Sequence, residues 1–263
     1  MLISGYYDKT LMKDPKTGYT VFSVKPISNE LDFVNIYGNV TCKGITPPLY
    51  VSEFIMMEAT IRSGDKGKYL EIKKILPEYK DRMSAVRFLA SDYIGLTFED
   101  AAELVLEFGT NIYQWITLTD AVQNISSVIP VAEKQAAVIV NAVANSLYWK
   151  MILDYGAKRG LGYEVISKLM AEYSRNSMNV IRDAPYEMEK YGVSFEVCDA
   201  IAIENGASLY NRNRIMSLLK QVLISAENNG DIYMTDEELY ERSKEKLFKK
   251  GLGKNFFQKV FPR

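Results

Sequence analysis

Apolar residues recur at two different spacings along the chain, and the change falls near Pro77. Before it, short runs are dense in β-branched and aromatic residues, and the clearest of them alternates apolar with polar positions, as half-buried strands do. Tyr19 to Val24, Phe33 to Tyr37, Phe54 to Ile61 and Tyr69 to Ile75 predict strands. Turn residues stand between them: Asp14-Pro15 with Gly18, Gly44 with Pro47-Pro48, and Gly64-Asp65-Lys66-Gly67. Short strands at this even spacing predict a small OB-like β-barrel over residues 1–77.

After Pro77 the apolar period becomes helical. Met83 to Ala90 and Phe98 to Phe108 predict helices, interrupted at Gly95; Thr97 is placed to cap the second and Gly109 to end it. Leu118 to Ile125, Val131 to Tyr155, Tyr163 to Tyr173 and Ser177 to Ile181 continue the pattern. A second helix-turn-helix run extends from Arg182 to Ala202, with Asp183 and Pro185 opening it and Phe195 starting its second helix. Arg212 to Ala226 is amphipathic, and Thr235 with Glu238 is a capping box for a helix reaching about Lys250. The fold class is α+β: the barrel, helical segments over 78–150 and 151–230, then a C-terminal helix and tail over 231–263.

One pattern repeats. A short turn between two helices falls at Gly95-Leu96-Thr97, at Pro130-Val131-Ala132 and at Gly192-Val193-Ser194. In each, a small residue follows the first position by six: Ala101, Ala136 and Cys198. This is the sequence form of a helix-hairpin-helix array, two units in 78–150 and one in 151–230. Such a turn aims backbone N–H groups at a nucleic-acid phosphate. The expected contacts are Gly95, Thr97, Gly192 and Ser194, helped by Lys158 and Arg159. The tail from Arg242 to Arg263 interleaves cations with Phe248, Phe256, Phe257 and Phe261. Its Lys249, Lys250 and Lys254 join the expected phosphate contacts.

Composition narrows the chemistry. Of 263 residues, 48% are hydrophobic and 25% charged, an ordinary globular balance. The formal net charge of -1 provides no global attraction to DNA, so any grip rests on local patches. Histidine is absent, which removes imidazole bases and ligands together. The two cysteines, Cys42 and Cys198, read as buried free thiols, too few for a zinc site. No cofactor and no metal are expected. No apolar stretch suggests a signal peptide or a membrane span, so the chain is expected in the cytoplasm. Asp65, Glu71 and Lys73 have the residue types of a nuclease metal site. Their places, a hairpin turn and the solvent face of a strand, argue against that use.

The order of these parts resembles the N-terminal, non-motor region of RecD-like DNA helicases, the RecD/TraA family. Thr17 to Phe22 is similar to a Gly-Tyr-Thr-Val segment of the family's opening barrel. Phe88 to Gly109 is similar to its first hairpin, and Ala184-Pro185-Tyr186-Glu187-Met188 to its Asn-Pro-Tyr-x-Leu. Gly192-x-x-Phe195-x-x-x-Asp199-x-Ile201-Ala202 fits the hairpin that follows, and Asp231 to Leu239 the segment before the motor. The resemblance covers about residues 15 to 247 and implies a DNA-binding, positioning role. Its partner would be single-stranded or forked DNA; the chain would be either a portion of such a helicase, with the motor in the same natural chain, or a short relative of it.

The chain departs from the family twice. It contains no G-x-x-x-x-G-K-[ST], so ATP hydrolysis by the family's route is not expected of it. The family's hairpins carry Gly-x-Gly, whereas Thr97, Ala132 and Ser194 hold the second glycine's place here, and Pro130 replaces a first glycine. A backbone conformation costly to other residues is expected there, with hydroxyls at Thr97 and Ser194 offsetting the loss by capping. The alternative is a protein-interaction scaffold whose hairpins no longer hold DNA, with some of the 18 tyrosines at an interface.

Overall fold

The computed structural model describes residues 1–27, 31–208, 211–231 and 233–248. The chain forms two compact units. The first holds residues 1–158 with 162–166; the second holds 159–161 and the residues from 167 onward.

Five strands open the first unit: β1 (Leu2–Lys13), β2 (Tyr19–Pro26), β3 (Val40–Ile45), β4 (Phe54–Gly64) and β5 (Gly67–Ile75). They close into a barrel in the order β1-β2-β3-β5-β4, with β4 returning antiparallel to β1. The β3–β5 pair is parallel, and the whole is an OB-type Greek-key barrel. Phe22, Val24, Val40, Cys42, Ile55, Met57 and Leu70 fill its interior.

Two expectations change here. Phe33 to Tyr37 is a loop, not a strand. The Asn35 side chain accepts the N–H groups of Tyr37 at 2.9 Å and Asn39 at 3.0 Å, and this Asx geometry outcompetes pairing despite a β-rich composition. Gly44 lies inside β3 rather than in a turn. A Cβ there would stand 2.6 Å from the carbonyl oxygen of Ile72, so the glycine permits the close approach of β5. Gly18 has a comparable role. Its φ is +70°, and a Cβ would meet the Tyr163 ring at 2.4 Å. The next conspicuous position, Thr20, is buried, with its hydroxyl donating to the Gly18 carbonyl at 3.0 Å. The Gly-Tyr-Thr-Val segment is thus accounted for by packing.

Helices α1 (Arg82–Leu89), α2 (Phe98–Phe108), α3 (Ile112–Ile116), α4 (Ala121–Val128) and α5 (Glu133–Ala157) complete the first unit. The run predicted from Leu118 becomes helical only at Ala121, and α3 was not foreseen. One core joins barrel to helices: Phe54 and Met56 of β4 pack with Tyr79, Phe88, Leu104, Trp115 and Leu147. At the same seam Lys150 pairs with Glu53 at 2.6 Å, both side chains fully buried. Ser146 donates to the same carboxylate at 2.5 Å and the Tyr50 amide donates to it at 3.2 Å. Those partners are what make a buried charge pair tolerable. Helix α5 has the length and apolarity of a membrane span, contrary to the reading of the sequence. Half of that apolar window is buried in the fold, with Ile139, Val143 and Leu147 in the core.

Helix α6 (Tyr163–Tyr173) leads into the second unit, followed by α7 (Ser177–Asp183), a 3-10 helix (Pro185–Tyr191), α8 (Phe195–Glu204), α9 (Arg212–Asn228) and α10 (Asp236–Phe248). The capping box forms: the Thr235 amide donates to Glu238 at 2.9 Å and the Glu238 amide donates to the Thr235 hydroxyl at 3.2 Å.

Candidate nucleic-acid interface

The three predicted turns have a common end and different beginnings. Each closes on a residue that stands just before a helix in extended backbone. Thr97 has φ −67° and ψ 160°, Ala132 −65° and 147°, Ser194 −69° and 152°. Any residue adopts these angles, so replacing a glycine here strains nothing, contrary to expectation. The small residues at the sixth position are all buried: Ala101, Ala136 and Cys198. Burial pushes the Cys198 thiol up to about 12, leaving it protonated.

The first positions differ. Gly95 has φ +83° and Gly192 φ +86°, a region L-residues avoid. A Cβ at either meets nothing within 4 Å. These glycines therefore serve conformation, not clearance. Pro130 cannot reach that region because its ring fixes φ negative. The second turn is instead tightened by the Val131 amide donating to the Ile129 carbonyl at 2.8 Å.

The helix starts also differ in chemistry. The Thr97 hydroxyl accepts the Asp100 amide at 3.1 Å and donates to the Asp100 carboxylate at 2.7 Å. One backbone donor is thereby taken, and Glu99 and Asp100 set negative charge in the first turn of α2. Ser194 makes no such cap on α8, whose first turn holds one acid, Glu196. Helix α5 has Glu133 there and no side-chain cap.

The third hairpin rests on a hydrogen-bonded trio of two buried residues, Arg214 and Asp199, and the half-buried Tyr186. Arg214 grips Asp199 with two bonds, Nε to Oδ1 at 2.6 Å and Nη2 to Oδ2 at 3.0 Å. The Tyr186 hydroxyl donates to the same carboxylate at 2.9 Å, and its ring stacks near Phe195. The 3-10 helix, α8 and α9 are locked together this way, and Pro185, Met188, Ile201 and Ala202 are buried around it. The residues that carry the family likeness here are structural. Arg214 was missed, although its spacing was informative: it shares a helical stripe with Leu218 and Val222, and an arginine on an apolar stripe calls for a buried acid.

The expected cations are engaged. Lys158 pairs with Asp154 at 2.6 Å, and Arg159 with Glu204 at 2.5 Å. Lys190, two residues before Gly192, pairs with Glu172 at 2.6 Å and donates to the Tyr173 hydroxyl at 2.6 Å. Lys190 and the Tyr191 hydroxyl together hold the Glu172 carboxyl down to about 2. Beside the hairpin, Arg182, Tyr186, Asn205 and Lys220 line a groove of about 710 Å³. Gly95 and Thr97 lie in the first unit, Gly192 and Ser194 in the second. Lys249, Lys250 and Lys254 lie outside the described residues.

The comparisons bear on the second unit most directly. No curated protein matches the chain. Residues 149–233 match the family described as the ATP-dependent RecD2 DNA helicase HHH domain, a segment that contains the third hairpin, its hydrogen-bonded trio and the groove. With an OB-type barrel ahead of that domain, the chain is similar to the N-terminal region of RecD-like DNA helicases.

Proposed function

We propose that the chain is a non-catalytic module that binds and positions single-stranded or forked DNA through its phosphate backbone, with little sequence preference. The observation that carries this reading is the Gly192-Val193-Ser194 hairpin inside the RecD2-type HHH domain. Its left-handed glycine, uncapped serine and following helix N-terminus form the anion-facing turn that the chemistry requires. The first hairpin is the weaker contact, since Thr97 already occupies a donor and two acids follow it. In this reading the module acts in the cytoplasm and does not itself hydrolyse ATP.

The test is a fluorescence titration of the chain against single-stranded, duplex and forked DNA at two salt concentrations. Binding that weakens steeply with salt is expected. No binding at low salt, or a flat salt response, overturns the reading. A matched pair of variants locates the contact. Ser194→Glu sets a carboxylate at the third hairpin and lowers affinity about tenfold. Thr97→Glu does the same at the first and changes it little.

A protein-docking scaffold is the second reading, favoured by one observation. Ile36 is 92% and Tyr37 76% exposed on the Asn35-closed loop. Large apolar side chains on a pre-organised loop suit an interface anchor. A co-purifying protein lost on Ile36→Asp, from a chain that binds no DNA, would decide for it.

A further inference from the structure

Charge is divided unevenly along the chain. The 46 residues from Phe88 to Glu133, all in the first unit, hold seven acids and neither lysine nor arginine. Asp92, Glu99, Glu103, Glu107, Asp120 and Glu133 are exposed, and none of these six makes an ion pair among the described residues. Nor do any acids among the described residues cluster closely enough to hold a metal ion. On α2 the acids Glu99, Glu103 and Glu107 recur at every fourth residue and so form one row along the helix. Phe98, Ala102 and Leu106 form the row beside it, with Phe98 51% and Leu106 67% exposed. Like charges at this spacing repel one another, so an incoming cation relieves the helix as it binds. The face suits a segment that interleaves cations with large apolar side chains, and it repels a polyanion such as DNA.

The sequence contains such a segment. Residues 249–263 hold five cations, three phenylalanines and no acid. At a formal net charge of -1, two copies of the chain have almost no overall repulsion to overcome, and the opposed local charges then set the attraction. We propose that the outer face of α2 docks residues 249–263 of a second copy of the chain. Lysines of the segment meet the row of Glu99, Glu103 and Glu107, and its phenylalanines meet Phe98 and Leu106. The two surfaces differ, so the contact is heterologous, head to tail. The proposal stands apart from the DNA-binding reading and does not rest on it.

The test is sedimentation velocity of the full chain, free of nucleic acid, over a range of protein concentrations and at two salt concentrations. Reversible association at low salt that weakens as salt screens the charges is expected. Glu103→Lys/Glu107→Lys, which spares the first turn of α2, raises the dissociation constant about tenfold, and Lys249→Glu/Lys250→Glu does the same. Mixing the two variant chains restores association, because each face then meets a segment of opposite charge. A wild-type chain that stays monomeric at low salt overturns the proposal and leaves the face to another basic segment. Association that both variants leave unchanged overturns it too, as does association lost in both and not restored on mixing. Thermal melts confirm folding, and Glu103→Gln/Glu107→Gln takes the place of the lysine pair should that variant unfold.

Discussion

The first and third hairpins turn the chain through similar backbones and then use the result differently. Both begin on a left-handed glycine, Gly95 or Gly192, and both end in extended backbone at Thr97 or Ser194. The first spends its hydroxyl on its own helix and follows it with two acids; the third leaves Ser194 off the cap and is braced from below by Asp199 and Arg214. Similar backbone shape is therefore not similar chemistry. The second position, where glycine was expected, is conformationally undemanding, so the side chain placed there decides what the turn does. A hydroxyl that caps its helix withdraws a donor from any ligand.

The sharpest way to separate the two hairpins is to remove the brace of one. Arg214→Met leaves Asp199 buried without its charge partner, at a cost of about 3–5 kcal/mol. Urea unfolding should show that loss, while exchange-protected amides of α2 in the first unit keep their protection. Adding Asp199→Asn to Arg214→Met should recover part of it. Equal loss of protection in α2 would break the distinction.

Glycine variants test what the two turns share. Gly95→Ala and Gly192→Ala should each cost about 1–2 kcal/mol for the left-handed backbone alone, since no atom stands near the added Cβ. Thermal melts giving unequal costs would show that clearance matters at one of them. Capping tests what they do not share. Thr97→Ala should cost about 1 kcal/mol, and Ser194→Ala should stay within about 0.5 kcal/mol, read from the same melts.

The smallest effect is one of pH. The Glu172 carboxyl, held down to about 2 from an ordinary 4.5, ties Lys190 and Tyr191 ahead of the third hairpin. Its folded value is depressed, so the tie contributes above pH 4.5 and is lost as pH falls toward 2. A carboxyl NMR titration should place the Glu172 midpoint near 2, and Lys190→Ala should return it toward 4.5.

Much of this was legible in the sequence because local chemistry decided it. Alternation marked β2, the β4–β5 hairpin followed from Gly64 to Gly67, and the caps at Thr97 and Thr235 form as their spacing implies. The strands β1 and β3 were not legible. β1 runs into exposed positions after Tyr7, and β3 carries a glycine whose reason is the backbone of β5, distant in sequence. The hairpin glycines were correctly placed, but their electrostatic setting was not. Lys158 and Arg159 read as free cations, because their partners Asp154 and Glu204 are set by helix packing rather than by composition.

The account rests on the third hairpin gripping DNA where the first does not. Amide hydrogen exchange of the full chain, with and without forked DNA at low salt, tests this directly. The amides of Ser194, Phe195 and Glu196 should slow on DNA addition while those of Phe98, Glu99 and Asp100 stay unchanged. Slowing at α2 with none at α8, under conditions where the DNA is bound, would contradict it.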